Sequence, residues 1–123
     1  MQDTKIKSYK DLIVWQKSYT LTKIVYEVSL GLPQSEVYAL QSQIRRCAVS
    51  IPSNIAEGYN RNTKTDYKHF LHIAFGSAAE LETQLLLCKD IYKLDITMAD
   101  KLLDEVSRML RAMISKLDLN PRR

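Results

Sequence analysis

The chain has 123 residues, of which 46% are hydrophobic and 26% charged, with a formal charge of +4 and a pI of about 9.1. That length favours one domain, and the mild basic excess permits contact with nucleic acid without demanding it. No apolar run is long enough to span a membrane, and the opening MQDTKIKSYKD lacks the apolar centre of a secretory signal, so a cytoplasmic location is expected.

Three glycines and three prolines leave few turn signals, and β-type alternation is absent, so a few long helices are expected. After a polar lead to about residue 8, Ser8 and Asp11 have capping-box spacing and predict a first helix over about Tyr9 to Ser29. Leu12, Trp15, Tyr19, Thr22 and Tyr26 make one stripe on it; Val14, Leu21, Val25 and Val28 make a second beside the first. A helix apolar over so much of its circumference is expected to bury more than one face. Gly31-Leu32-Pro33 ends it.

The second helix is expected from about Gln34 to Gly58. Its segment Ile44–Gly58, IRRCAVSIPSNIAEG, places Ile44, Cys47, Ala48, Ile51 and Ile55 on one face. Arg45, Arg46, Ser50, Ser53, Asn54 and Glu57 fall mainly on the other. Pro52 has no N–H to reach the Ala48 carbonyl, which predicts a local bend, and Gly58 is expected to stop the helix in a left-handed conformation. Tyr59–Asn62 is a short polar connection.

Thr63 with Asp66 predicts the start of a third helix that runs to about Lys93, with a core stripe of Tyr67, Phe70, Leu71, Ala74, Ala78, Leu81, Leu85, Cys88 and Tyr92. The small run Gly76-Ser77-Ala78-Ala79 predicts the close approach of another helix. Thr97 with Asp100 opens a fourth helix to about residue 118, whose apolar face is Leu102, Leu103, Val106, Met109, Leu110, Met113 and Leu117. Asn120–Arg123 is a frayed basic end. Four helices with short connections predict an all-α, antiparallel, up-down-up-down four-helix bundle forming a single domain over residues 1–123.

Candidate sites are sparse. Cys47 and Cys88 lie on apolar stripes and read as reduced core thiols; a disulfide would need an oxidising compartment. Asp66, His69 and His72 have a loosely metal-like spacing, but a bundle di-metal centre needs Glu-x-x-His on two helices and this chain has none, so packing or surface histidines are expected. No nucleophile elbow, activated cysteine or glycine-rich phosphate loop is present, so neither catalysis nor a cofactor is expected. Asn54 and Glu57 on the second helix, with Ser77 and Glu80 on the third, are expected to form a polar network that fixes helix register, a ligand site being the alternative. An ion pair between Arg46 and Glu80 fits the same heights. Arg45, Arg61, Lys64 and Lys68, with Tyr59 and Tyr67 close by, have the mixture of cations and aromatics that binds nucleic acid, against the commoner alternative of a solvated charged face.

Leu12–Lys17, Gln43–Arg46, Ser50–Gly58 and Phe70–Ser77 resemble the sequence blocks of the bacterial four-helix-bundle family encoded in intervening sequences of 23S ribosomal RNA genes. The resemblance covers nearly the whole chain. It implies a bundle fold and, through a related accessory protein of diversity-generating retroelements, a homopentamer with a basic surface that binds nucleic acid and a reverse transcriptase. It makes Arg45, Arg46 and Arg61 candidate contacts. The expected function is therefore a non-enzymatic homo-oligomer that binds RNA or DNA through phosphates; the alternative is a protein-interaction scaffold with no direct nucleic-acid role.

Overall fold

Apolar side chains spaced three and four apart fold into four helices: α1 (Ile13–Ser29), α2 (Leu40–Tyr59), α3 (Lys64–Tyr92) and α4 (Thr97–Asp118). The structure is a computed structural model that describes residues 5–119; the basic end at Asn120–Arg123 lies outside the described residues. Each helix packs on two neighbours, α2 on α1 and α3, α4 on α3 and α1. The cross-helix pairs run in opposite chain directions. Tyr59 meets Tyr67 while Ser50 meets Ser77, and Lys68 meets Asp118 while Arg111 covers Phe75. The result is the up-down-up-down bundle. Val14, Leu21 and Val25 of α1, Ile44, Ala48, Ile51 and Ile55 of α2, Leu71, Leu81 and Leu85 of α3, and Leu103, Val106 and Leu110 of α4 form one continuous core.

The helix ends depart from expectation for identifiable reasons. The Ser8–Asp11 box closes a separate 3-10 turn, Tyr9–Asp11, in which the Asp11 carboxylate accepts the N–H groups of Lys7 and Ser8 at 2.8 and 3.1 Å. Leu12 is extended there, so α1 begins only at Ile13. Gln34–Glu36 form a second 3-10 turn, and the non-helical Ala39 delays α2 to Leu40. The Glu36 carboxylate accepts the Leu40 N–H at 3.2 Å and also a hydrogen bond from the Tyr92 hydroxyl, which ties this connection to the end of α3. Thr63 caps α3 as its spacing predicts, through the Asp66 N–H. At α4 the expected Thr97–Asp100 box gives way to Asp95, whose carboxylate takes the Thr97 N–H at 3.0 Å.

Two glycine expectations are corrected. Gly58 is not left-handed; it lies inside α2, where a Cβ would come within 2.8 Å of the Phe70 Cβ and 3.2 Å of the Tyr67 carbonyl oxygen. Its function is to let α2 and α3 approach. Among the described residues positive φ falls on Lys93 (φ 58°), which ends α3. Gly76, by contrast, faces open space; in that small run it is Ser77 and Ala78 that are buried.

These surroundings give opposite signs to one substitution. Alanine raises helix propensity by about 1 kcal/mol over glycine. Gly76→Ala should therefore stabilise by roughly that amount, while Gly58→Ala should destabilise by about 1–3 kcal/mol through overpacking against backbone. Urea unfolding of the two variants measures both signs.

Candidate nucleic-acid interface

The two stripes of α1 have different fates. Val14, Leu21 and Val25 enter the core. Tyr19 and Tyr26 do not, and Trp15 packs only partly buried against the core's edge, because α2 faces them with the short side chains of Val49, Pro52, Ser53 and Ala56. A surface groove of about 650 Å³ remains between α1 and α2, lined also by Tyr9, Thr22 and Lys23. Trp15 and Tyr19 stack with ring centres 5.0 Å apart and planes 22° apart, and Tyr9 meets Trp15 edge-on at 5.3 Å. Tyr19 is 49% exposed and Tyr26 41%. The Lys23 ammonium sits 5.1 Å from the centre of the Tyr19 ring.

The groove is anchored at Thr22. Pro52 leaves the Ala48 carbonyl without its helical donor, and α2 nevertheless continues through Pro52. The Thr22 hydroxyl supplies the missing bond at 3.1 Å while sharing its proton with the Ser18 carbonyl at 2.9 Å. Further along α1, Gln41 donates to the Ser29 carbonyl at 2.9 Å. The Arg45 Nε donates to the Ser29 hydroxyl at 2.8 Å, with the guanidinium over the Tyr26 ring. Arg45 thus serves as a clamp at the C-terminus of α1, where a cation is favoured by the helix dipole.

The remaining sequence-predicted cations have distinct placements. Arg61 pairs with Glu57 at 2.9 Å and lies over the Phe70 ring; Lys68 pairs with Asp118 at 2.7 Å. Lys64 and Lys116 flank one depression with Tyr67, Met113 and Leu117, and no carboxylate lines it. Arg46 is exposed, and its nearest hydrogen-bond partner is the Ser42 hydroxyl at 3.4 Å. The expected Arg46–Glu80 ion pair does not form, although both side chains border one polar depression with Gln43, Gln84 and Cys47. Tyr59 and Tyr67 pack edge-to-face on each other at 6.2 Å, which engages them with one another.

Charge is polarised along the bundle. The end that holds the α2–α3 turn carries Lys7, Lys10, Lys17, Arg61, Lys64, Lys68, Arg111 and Lys116 against Asp11, Glu57, Asp66, Glu105 and Asp118, with Lys17 paired to Glu105 at 3.1 Å. The opposite end is nearly balanced, with Glu27, Glu36, Asp90, Asp95 and Asp100 against Arg45, Lys89, Lys93 and Lys101. The groove reaches the basic end at Tyr9.

The expected polar network exists with a different membership. Asn54 donates to the Ser50 carbonyl and hydroxyl at 2.8 and 2.9 Å, and the Ser50 and Ser77 hydroxyls lie 2.8 Å apart. Glu57 lies outside it, paired with Arg61. Glu80 touches it only through Cys47, 3.9 Å away, and that thiol donates mainly to the Ser77 carbonyl at 3.0 Å. Both cysteines are free and buried. Among the described residues no three His, Cys, Asp or Glu side chains gather into a metal site; His69 rests edge-on against Phe70. No described helix is long and apolar enough to cross a membrane.

These features define a small antiparallel helical bundle with an aromatic groove and a basic end. Residues 10–115 match the family model of the 23S rRNA-intervening sequence protein, and the chain belongs to that family. Among curated proteins none matches the chain. Two of the blocks that carry the family resemblance meet in the groove: Trp15 from Leu12–Lys17, and Pro52, Ser53 and Ala56 from Ser50–Gly58.

Burial pushes the Cys47 thiol up to about 11 from 9.0, with the Glu80 carboxylate adding to the effect. The native state therefore holds the thiol proton more tightly than the unfolded chain does. The sign follows: this contribution to stability is complete below about pH 9 and is lost as pH rises towards about 11. Native Cys47 should resist iodoacetamide at pH 8 and alkylate promptly on unfolding in urea, as read by mass spectrometry.

Proposed function

We propose that the chain is a non-enzymatic, self-associating bundle that binds RNA or DNA through its basic end. The observation that carries the reading is the polarity of charge along the bundle. Eight cations stand against five carboxylates on the end that holds the α2–α3 turn, Lys17, Arg61 and Lys68 being paired with Glu105, Glu57 and Asp118, and Lys64 and Lys116 share a depression with no carboxylate in its lining. Lysines so placed meet phosphate oxygens as point charges, which gives affinity and orientation without base specificity. Arg61 and Lys68 take part only by exchanging a surface carboxylate partner for phosphate, a small cost for exposed pairs. Arg45 is left to its structural contact with Ser29.

Self-association is supported by Ile73, Leu87 and Ile91, which stand exposed along one line of α3. A closed ring, the pentamer of the family resemblance included, would repeat the basic ends around one axis. Two buried, unpaired thiols suit a reducing cytoplasm. A second reading, a scaffold that docks a protein partner, is favoured by apolar side chains at the opposite end, where Leu30, Tyr38 and Met98 are 74%, 97% and 70% exposed. A reverse-transcriptase-like partner would belong to that reading.

Salt dependence separates the two. Binding of a fluorescein-labelled RNA hairpin, followed by anisotropy, should weaken steeply between low and moderate salt. Lys64→Glu with Lys116→Glu should reduce the log–log slope by roughly one to two. A flat salt response, or a double variant that binds as the parent does, would contradict the phosphate reading and leave the scaffold.

A further inference from the structure

The groove between α1 and α2 has no part in the phosphate contacts just described, and its chemistry differs from theirs. Its walls are aromatic side chains, and its floor is Val49, Pro52, Ser53 and Ala56. Lys23 is the one charged residue among the lining side chains, and it is a cation. A volume of about 650 Å³ falls within the roughly 300–1,000 Å³ usual for ligand sites. From this geometry we infer that the groove stacks unpaired bases of a single-stranded RNA or DNA segment whose phosphates run along the basic end. The inference rests on the reading of the protein as a nucleic-acid binder and adds the strand state of the ligand and a second contact surface.

Three observations select this occupant. Trp15 and Tyr19 are stacked on each other with planes 22° apart, between Tyr9 on Trp15 and the Lys23 ammonium on Tyr19, so a base extends this column by displacing the flexible Lys23 side chain from the Tyr19 ring, since every base has a π-face. Charge complementarity points the same way: the groove opens at Tyr9 onto the basic end, and a polyanion is drawn to the cations while no carboxylate in the lining repels it. The Lys23 ammonium already engages the Tyr19 ring and stands ready for a phosphate beside a stacked base. The Ser53 hydroxyl on the floor supplies both a donor and an acceptor to a base edge. A duplex cannot use this surface, because its bases are already stacked on each other.

Trp15 is the chain's single tryptophan, so its emission reports the groove alone. The full chain is titrated with a short oligouridine, an oligodeoxyuridine and a duplex of equal length. Anisotropy reads total binding and Trp15 fluorescence reads occupation of the groove. Both single strands should quench Trp15 saturably and the duplex should not. Tyr19→Ala, a change at a half-exposed position that spares the core, should weaken single-strand binding roughly tenfold or more while leaving duplex binding within about twofold. Quenching by only one of the two strands would still place bases in the groove and would identify the sugar it accepts. Single-strand binding with unchanged Trp15 emission, and equal affinity in Tyr19→Ala, would overturn the inference while the basic-end reading stands. Absence of binding by every probe would overturn both. A Trp15 signal that changes on dilution of the protein alone would assign the groove to a second copy and overturn the inference as well.

Discussion

The carbonyl oxygen of Ala48 is the point on which the arrangement of α1 and α2 depends. Pro52 removes the N–H that would satisfy it, and a buried acceptor left without a donor costs about 1–3 kcal/mol. The chain meets that cost from outside the helix, with the Thr22 hydroxyl of α1 at 3.1 Å. One bond thereby sets the height of α1 against α2. On one side of it, Gln41 and Arg45 close on the Ser29 end of α1. On the other side, Trp15 and Tyr19 face the short side chains of α2 across open space. The groove thus follows from how α2 tolerates a proline in its interior, and the same proline that frees a carbonyl also provides part of the floor.

The opposite face of α2 shows the complementary use of small residues. Cys47, Ser50 and Gly58 lie along the seam with α3, where the Cys47 thiol meets the Ser77 carbonyl, Ser50 meets Ser77, and Gly58 admits Phe70 and Tyr67. Cys47, Ser50, Asn54 and Ser77 are bonded to one another in this seam, the condition for a buried polar contact to specify register; Gln84 Oε1, at the edge of the same seam, is buried without a partner. Close approach on this side draws α2 towards α3, and the aromatic residues of α1 are left without a large partner. Packing on one face of a helix and vacancy on the other are two results of one run of small side chains.

Much of the fold was legible in the sequence because helix periodicity is a strong signal over twenty or more residues. The core faces of α2 and α3 came directly from the three-and-four spacing, whereas the stripe read on α4 left out the buried Ala99 and Ile114 and included Leu102, Met109, Met113 and Leu117, which are only partly buried. The site was less legible. Trp15, Tyr19 and Tyr26 read as a buried stripe because hydrophobicity alone cannot say what stands opposite; the available signal was the shortness of Val49, Pro52, Ser53 and Ala56. Gly58 looked like a helix stop because glycine marks both chain reversal and close approach, and only the position of Phe70 separates the two. Arg45 looked like a free cation, yet its Nε is committed to Ser29, which lies sixteen residues away in the chain. Thr97 looked like a cap; Asp95, two residues earlier, has the longer reach of a carboxylate and takes the N–H instead.

The most direct test of this account is a double-mutant cycle between Thr22→Val and Pro52→Ala, read as unfolding free energy in urea. Valine keeps the branched shape of threonine and removes only the hydroxyl, while alanine at position 52 restores the N–H that Ala48 lacks. Thr22→Val should cost about 1–3 kcal/mol in the parent chain and close to nothing in the Pro52→Ala background, so that the two changes couple strongly. Equal costs in both backgrounds would show that the Ala48 carbonyl does not hold α1 in place, and would contradict the origin proposed here for the groove.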